Sequence, residues 1–225
     1  MSNPKKVCVI LSGCGFRDGA EIHESVIALL AIERHGAVWH CCAPNVSFKV
    51  VDHRTGKPTG ESRNVLTESA RIARGRIDDI AEVHADGYDA LVMPGGSGAA
   101  GTLSDFLQAG SDAKVHPQVD RLIREFLEQG KPVGAICIAP ATLARAVANA
   151  GKQATLTVGN ARDHADAVKN LNAMAGVTHA DTAVSEACID EAHRIATTPA
   201  YMIGPGVKDI AAGIEKVVAQ VLTWA

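Results

Sequence analysis

Short apolar segments alternate with segments of helical periodicity along this chain, and this alternation restricts its fold more than any other feature. Residues 7–11 (Val-Cys-Val-Ile-Leu) form an uninterrupted apolar run that ends at Ser12, as is typical of a strand buried on both faces. The next segment, 22–35, has apolar residues at helical spacing and ends before Gly36, a residue that commonly terminates helices. Because such alternation builds parallel sheets between layers of helices, we expect an α/β fold with a mostly parallel sheet and helices on both faces.

The same patterns predict the remaining elements. Further strands are expected at 37–43, 89–93, 132–136, 154–158 and 182–189. Further helices are expected at 64–74, 77–84, 117–129, 138–150, 163–174 and 207–224. Turn residues around 55–58 (Thr-Gly-Lys-Pro) indicate a small hairpin that starts near residue 50. Since no repeat or low-complexity linker interrupts this order, we expect a single domain over residues 1–225.

The composition is that of an ordinary globular protein and excludes several functional classes. The chain has 225 residues, of which 47% are apolar and 21% charged, and a formal net charge of -3. This balance is too weakly charged to indicate binding to nucleic acid. The first apolar run, 7–11, is too short for a signal peptide core or a membrane span. We therefore expect a cytoplasmic protein with no membrane partner.

Six cysteines are present, but their spacing does not indicate a metal site or a disulfide framework. The chain contains no CxxC pair, which structural zinc sites commonly use. In a reducing compartment the cysteines are expected to be thiols. Those within strand-like runs, such as Cys8, are expected in the core. We expect neither a metal nor an organic cofactor.

The segment 134–140 (Gly-Ala-Ile-Cys-Ile-Ala-Pro) carries the strongest chemical signal, a cysteine between a predicted strand and a predicted helix. Ligands of parallel sheets collect at the carboxyl ends of the strands, where Cys137 lies. The start of the following helix favours the thiolate over the thiol, and the amide of Ile138 can hold a developing oxyanion. Ala135 and Ala139 are small, as close packing around a nucleophile elbow requires. The alternative is a buried structural cysteine, as most free cysteines are.

A second loop, 94–98 (Pro-Gly-Gly-Ser-Gly), follows another predicted strand. Glycines allow backbone amides to approach a substrate closely, so Gly95 or Gly96 can provide the second oxyanion donor beside Ile138. The alternative is a plain turn between a strand and a helix. The loop does not continue into Gly-Lys-Ser/Thr and is therefore not a phosphate-binding P-loop.

Together these motifs resemble a known superfamily. Pro94-Gly-Gly followed by Ala-Ile-Cys137 resembles the class I glutamine amidotransferase-like superfamily, and within it the PfpI and parkinsonism-associated deglycase branch. Longer segments resemble the ElbB type of that branch, isoprenoid-biosynthesis or lycopene-enhancing proteins to which a glyoxalase activity is assigned. These segments are 12–24, 67–75, 137–141 and 197–202. The resemblance implies a flavodoxin-like fold with a nucleophile elbow at Cys137.

The resemblance also implies a partner for the cysteine. The deglycase branch has a glutamate at the position that matches Glu24, where it shares a proton with the cysteine. Glu21 lies one turn earlier on the same helix face, near the same edge of the sheet. Burial and a neighbouring thiolate would raise the pKa of Glu24, so that it can move protons on a substrate. From the residues alone, both glutamates also fit a solvated helix start.

The histidines are where the chain departs from the superfamily. Glutaminases use a histidine after the strand that follows the nucleophile helix, but residues 157–160 (Thr-Val-Gly-Asn) contain none. Asn160 is therefore a possible pocket residue. His164 is expected near the pocket on the next helix, His23 is expected to face away from the glutamates, and His179 is a further candidate. A Cys-His-Glu triad and glutaminase chemistry are thus not supported.

Three functions remain open. The first is a glyoxalase that converts glyoxal or methylglyoxal to a 2-hydroxy acid through a hemithioacetal on Cys137, and the same chemistry would give a deglycase activity. The second is a redox-sensing or chaperone-like protein that uses the same oxidisable thiol, with Cys14 after the first strand as a second pocket thiol. The third is a degenerate glutaminase-like protein. Because relatives are commonly dimers, we also expect a homodimer that binds a small aldehyde.

Overall fold

A computed structural model describes residues 3–225 of the chain. The strands are β1 (Lys6–Ile10), β2 (Val38–Ala43), β3 (Ser47–Val51), β4 (Pro58–Asn64), β5 (Ile77–Asp79), β6 (Ala90–Met93), β7 (Val133–Ile136), β8 (Ala154–Leu156), β9 (Val177–His179), β10 (Cys188–Asp190) and β11 (Ile195–Thr198). The helices are α1 (Ile22–Arg34), α2 (Val65–Ile72), α3 (Ser97–Gly101), α4 (Phe106–Ala109), α5 (Pro117–Glu128), α6 (Ala139–Asn149), α7 (Ala165–Asn172) and α8 (Val207–Trp224).

Seven strands form the central sheet, in the order β10-β11-β7-β6-β1-β2-β5. All neighbouring strands are parallel except β10, which is antiparallel to β11. The hairpin of β3 and β4 and the parallel pair of β8 and β9 lie outside this sheet. The predicted α/β architecture, flavodoxin-like with a mostly parallel sheet flanked by helices, is confirmed.

The central strands are buried because helices cover them. Every residue of β6 and β7 is buried, as are four of the five residues of β1. On one side α1 packs against α8, which also contacts β7 and β11, while α5 and α6 pack together over β6 and β7. Gly134 in β7 allows this approach, since an added Cβ would lie 2.9 Å from Val217 of α8. Within residues 3–225, no helix is both long and apolar enough to span a bilayer.

The structure corrects two predicted elements near the sheet edges. The helix expected at 77–84 is instead β5 followed by a 3-10 turn, because Ile77 pairs with Cys41 of β2 and this tertiary pairing overrides the helical spacing. The strand expected at 182–189 contains only the start of β10.

The sequence analysis predicts no strand at 195–198, yet β11 lies there, fully buried beside β7. This segment does not stand out as an apolar run, because two of its four residues are threonines. Their hydroxyls are satisfied internally, since Thr198 donates to the carbonyl of Glu186 and Thr197 accepts from the amide of Thr157. A buried polar strand of this kind is stable only when such partners are present.

Candidate active site

Cys137 occupies a sharp turn between β7 and α6. Its φ angle is 63°, in the left-handed region that non-glycine residues seldom adopt, and such strain concentrates at functional sites. The backbone amide of Cys137 donates to the carbonyl of Thr198 at 2.8 Å, which ties the turn to the end of β11. The residue is only 7% exposed, at the carboxyl edge of the sheet. The turn therefore has the geometry of a nucleophile elbow.

Glu24 of α1 lies beside this cysteine and is fully buried. Its Oε2 accepts from the amide of Gly95 at 3.0 Å, and its Oε1 accepts from the amide of Tyr201 at 3.3 Å. The Glu24 side chain also contacts the Cys137 thiol. Three separate segments of the chain thus hold one carboxyl group against the sulfur.

Glu21 fixes the first turn of α1, the turn that carries Glu24. Its Oε2 accepts from the amide of Glu24 at 2.7 Å, as the N-cap of a helix does. Its own amide donates to the carbonyl of Gly95 at 2.9 Å. The first turn of α1 is therefore anchored to the glycine loop that follows β6.

The Glu24 carboxyl holds its proton to unusually high pH. Burial, reinforced by the negative charge of Glu21, raises the pKa of Glu24 to about 8. Hydrogen bonds from Cys137, Tyr201 and Gly95 oppose this rise without cancelling it. At neutral pH the carboxyl is therefore mainly an acid, able to donate a proton.

The thiol of Cys137 behaves differently from the sequence prediction. Burial, followed by the negative charge of Glu24, raises the pKa of Cys137, whereas the amides of Gly96 and Ile138 lower it. Burial thus raises the pKa of the thiol more than the amides at the helix start lower it. The net lowering of this pKa that the sequence predicted does not occur. Because a charge on either group disfavours a charge on the other, the two groups are best described as one proton-sharing pair.

The two amides that face the sulfur are those of Gly96 and Ile138. Gly95, the other candidate from the sequence, has a different role, because its amide already donates to Glu24. An added Cβ at Gly95 would lie 2.5 Å from the Cβ of Cys137 and 2.7 Å from the Glu24 carboxyl. Gly95 is therefore required for the close approach of the pair, and of the sequence candidates only the amides of Gly96 and Ile138 face the sulfur.

We expect Gly95→Ala to lower the free energy of unfolding by about 1–3 kcal/mol, as overpacking a tight site does, and to remove any activity that depends on Cys137. Gly87→Ala is the matched control, since an added Cβ at Gly87 meets nothing within 4 Å. Chemical denaturation of both variants measures the effect. Equal stability of the two variants would contradict the close packing described above.

A cavity of about 590 Å³ opens above the sulfur. Most of the residues that line it are apolar. They are Phe16, Glu21, His23, Gly96, Ser97, Leu107, Cys137, Ile138, Tyr201 and Met202. Glu24 is not among these lining residues and lies below the cavity surface. A ligand in the cavity therefore contacts Cys137, with Glu24 behind the cysteine.

Sequence reasoning missed six residues of the cavity wall, namely Phe16, His23, Ser97, Leu107, Tyr201 and Met202. His23 was expected to face away from the glutamates, but it lines the cavity, and its Nδ1 forms a 2.8 Å hydrogen bond with the hydroxyl of Tyr201. The expectation was wrong because His23 is in the first turn of α1, whose start lies at the cavity. Tyr201 lies in the segment 197–202, so the family resemblance was the one signal that marked it.

The other candidates lie outside the cavity. Cys14 lines a neighbouring pocket beside Asp18 and His53, because the turn after β1 points toward the β3–β4 hairpin. Asn160 hydrogen-bonds Asp163 within its own loop.

Two histidines that the sequence suggested are also elsewhere. The Nε2 of His164 bonds the carbonyl of Met202, so this ring supports the turn that carries Tyr201 rather than lining the cavity. His179 ends β9 and faces Asp181. Among residues 3–225, no cluster of histidine, cysteine and acidic side chains has the geometry to hold a metal ion.

An elbow cysteine with a buried glutamate, at the carboxyl edge of this parallel sheet, defines a class I glutamine amidotransferase-like fold. The sequence profile of the DJ-1/PfpI family matches residues 6–192. The chain belongs to the DJ-1/PfpI family.

Similar proteins extend over nearly the whole chain. The human "Glutamine amidotransferase-like class 1 domain-containing protein 3, mitochondrial" is 42% identical over 96% of this chain and 82% of its own length. The "ES1 protein homolog, mitochondrial" of Rattus norvegicus is also 42% identical, over 96% of this chain and 83% of its own. A crystal structure of an isoprenoid biosynthesis protein with an amidotransferase-like domain from Ehrlichia chaffeensis superposes with a TM-score of 0.90. It is 33% identical and covers 98% of this chain and 99% of that one.

Proposed function

We propose that this chain is an ElbB-type glyoxalase that converts glyoxal or methylglyoxal to a 2-hydroxy acid without glutathione, metal or organic cofactor. The observation that carries the proposal is the proton-sharing pair of Cys137 and Glu24, which lies under a cavity beside two amide donors. A thiol can capture an aldehyde covalently, and a carboxyl with its pKa near 8 can both give and take a proton near neutral pH.

The first step is addition of the sulfur to the aldehyde. The reactive form arises when the pair carries one proton and this proton moves from the sulfur of Cys137 to the Glu24 carboxylate, which leaves Cys137 as the thiolate. A bond forms between sulfur and the aldehyde carbon, and the carbonyl π electrons move to oxygen. The amides of Gly96 and Ile138 stabilise this oxyanion. Glu24 then protonates it, which yields a neutral hemithioacetal and leaves Glu24 as a carboxylate.

In the second step one carbon of the substrate is oxidised and the neighbouring carbon is reduced. The Glu24 carboxylate removes the proton from the hemithioacetal carbon, which forms an enediolate, and returns it to the neighbouring carbon, while the hydroxyl proton on the first oxygen passes to the second oxygen. The first carbon is thereby oxidised to a thioester and the second is reduced to an alcohol, so no external oxidant is needed. Water then hydrolyses the thioester, which releases the 2-hydroxy acid and restores the thiol of Cys137.

The site supports aldehyde chemistry better than glutamine hydrolysis. The loop at 157–160 contains no histidine, and His164 is bonded to the carbonyl of Met202. His23 reaches the cavity from α1, but its hydrogen bond is to Tyr201. A glutaminase needs a base that activates the cysteine, whereas the glyoxalase steps need only Glu24.

The test is the turnover of glyoxal by metal-free protein, followed by NMR. We expect glyoxal to disappear with formation of an equal amount of glycolate, and methylglyoxal to give lactate in the same way. The protein should be treated with a chelator beforehand, and glutamine should be offered in parallel. Release of ammonia from glutamine without glycolate formation would refute the glyoxalase proposal.

A redox-sensing role for the same thiol is the second candidate. Gly96, Ile138 and the Glu24 acid are placed to hydrogen-bond the oxygens of an oxidised sulfur. The raised pKa of Cys137 argues against rapid oxidation, since the thiolate is the reactive form. The same raised pKa also lowers the fraction of thiolate available to add to an aldehyde, so it is the cavity above the sulfur, and not this pKa, that favours catalysis as the main role.

The predicted homodimer and cytoplasmic location also stand as proposals. The names of the human and rat relatives place those proteins in mitochondria. Sedimentation and cell fractionation are the measurements that decide both points for this chain.

A further inference from the structure

The cavity above Cys137 is much larger than a two-carbon aldehyde requires. Its volume of about 590 Å³ lies within the range of roughly 300–1,000 Å³ of sites that enclose drug-sized ligands. A glyoxal molecule bound to the sulfur would leave most of this space to water. The surplus volume indicates a substrate with an additional group.

The wall of the cavity shows what kind of group this is. The polar side chains Glu21, His23 and Tyr201 come from the start of α1 and the turn after β11. Apolar side chains of the wall include Phe16 and Leu107. These two side chains are 46% and 52% exposed, so the cavity offers a bare apolar surface next to its polar groups. Such a surface is stabilised when an apolar ligand covers it.

The Phe16 part of the apolar wall is fixed by contacts with neighbouring residues. The ring of Phe16 packs edge-on against His53, with centroids 5.4 Å apart, and the guanidinium of Arg17 lies 4.9 Å from the same ring. The carbonyl of Phe16 accepts from the amide of Ser97 at 2.7 Å, which ties this loop to α3 beside the glycine loop. A fixed wall loses less conformational entropy when it binds an apolar group than a mobile wall would.

We infer that the preferred substrates are α-oxoaldehydes that carry an aromatic or branched apolar group on the ketone carbon. This inference rests on the proposed glyoxalase function. The aldehyde carbon adds to Cys137, and the apolar group lies against Phe16 and Leu107. The proton moves from the aldehyde carbon to the ketone carbon as before, so the product is a 2-hydroxy acid with the same apolar group and no further reactant is consumed.

The inference is tested by comparing the kcat/KM values of two substrates. The ratio of kcat/KM for phenylglyoxal to that for glyoxal is expected to be about tenfold or more, the discrimination that apolar pocket contacts commonly provide. Leu107→Ser should lower this ratio by about tenfold. Leu30→Ser is the matched control, because Leu30 is a similarly exposed leucine, 42% accessible, on α1 and away from the cavity. Equal ratios in all three proteins would overturn the inference, while glyoxal turnover would leave the proposed function standing.

Binding separates failure of the inference from failure of the function. Cys137→Ser should be titrated by calorimetry with 2-hydroxyacetophenone and with hydroxyacetone, two neutral ketones that cannot form a thioester. We expect the aromatic ketone to bind at least about tenfold more tightly, and Leu107→Ser in the same background to remove the difference. If no aldehyde is turned over but this difference is found, the apolar ligand class holds and the glyoxalase proposal fails. Equal affinity for the two ketones overturns the inference whatever the turnover shows.

Discussion

Cys137→Ala is expected to abolish glyoxal turnover, with a fall in kcat/KM of at least ~10³-fold, the scale on which enzymes lose rate without their nucleophile. The sulfur is the atom that bonds to the aldehyde, and Glu24 has no access to the substrate carbon except beside it. The measurement is glycolate formation under the conditions described for the native protein. The variant keeps the shape of the turn, although any non-glycine residue at a φ of 63° is strained there.

The control for this prediction is Cys188→Ala, which removes a half-buried thiol at β10, away from the cavity. Circular dichroism and thermal unfolding of both variants show whether a loss of rate reflects chemistry or folding. Glycolate formation by a well-folded Cys137→Ala protein at the native rate would eliminate the hemithioacetal mechanism.

Glu24→Gln is expected to lower kcat by about 10²–10⁴-fold, the contribution of a positioned general acid and base. Glutamine keeps the size of the side chain but cannot carry the proton between two carbons. Its NH₂ group also faces one of the amides of Gly95 and Tyr201, each of which donates to a Glu24 oxygen in the native protein. The variant should therefore also lose some stability. A control variant at another buried glutamate separates this loss from the loss of catalysis.

The matched control is Glu68→Gln, because Glu68 is also a buried glutamate, but it pairs with Arg63 and Arg71 outside the cavity. This variant is expected to lose some stability and to retain glyoxal turnover. If Glu24→Gln and Glu68→Gln turn over glyoxal equally well, Glu24 is not the proton carrier.

The raised pKa of Glu24 also predicts how stability changes with pH. In the unfolded chain Glu24 loses its proton near pH 4.5, whereas in the folded protein burial holds the proton until about pH 8. The folded state therefore binds more protons between these values, and the free energy of unfolding falls by up to ~1.4 kcal/mol per pH unit as the pH rises through this window. The contribution is complete below pH 4.5 and is lost above about pH 8.

Comparison of unfolding midpoints at pH 5, 6, 7 and 8 tests this linkage. The native protein is expected to lose stability more steeply than Glu24→Gln, so the gap between the two proteins should narrow as the pH rises. Parallel curves over this range would show that Glu24 is ionised at neutral pH in the folded state and would remove the basis for its role as an acid.

The sequence alone determined the general fold and the position of the elbow cysteine. Apolar runs such as 7–11 are local signals of buried parallel strands, and α8 at Val207–Trp224 was predicted from its spacing with the same bounds. The elbow at Cys137 is likewise a local pattern of a strand, a turn and a helix. Such features depend on neighbours in the chain, which the sequence displays directly.

Only the tertiary structure decided how the site is built. Glu24 and Tyr201 are 177 positions apart, yet the amide of one donates to the carboxyl of the other. The pKa of Cys137 rises, against the sequence prediction, because the fold removes solvent and places a carboxyl beside the sulfur. Likewise, Gly95 donates to Glu24 rather than to an oxyanion, and His23 turns into the cavity. Desolvation and contacts between distant segments depend on how layers pack, and no spacing of residues along the chain records them.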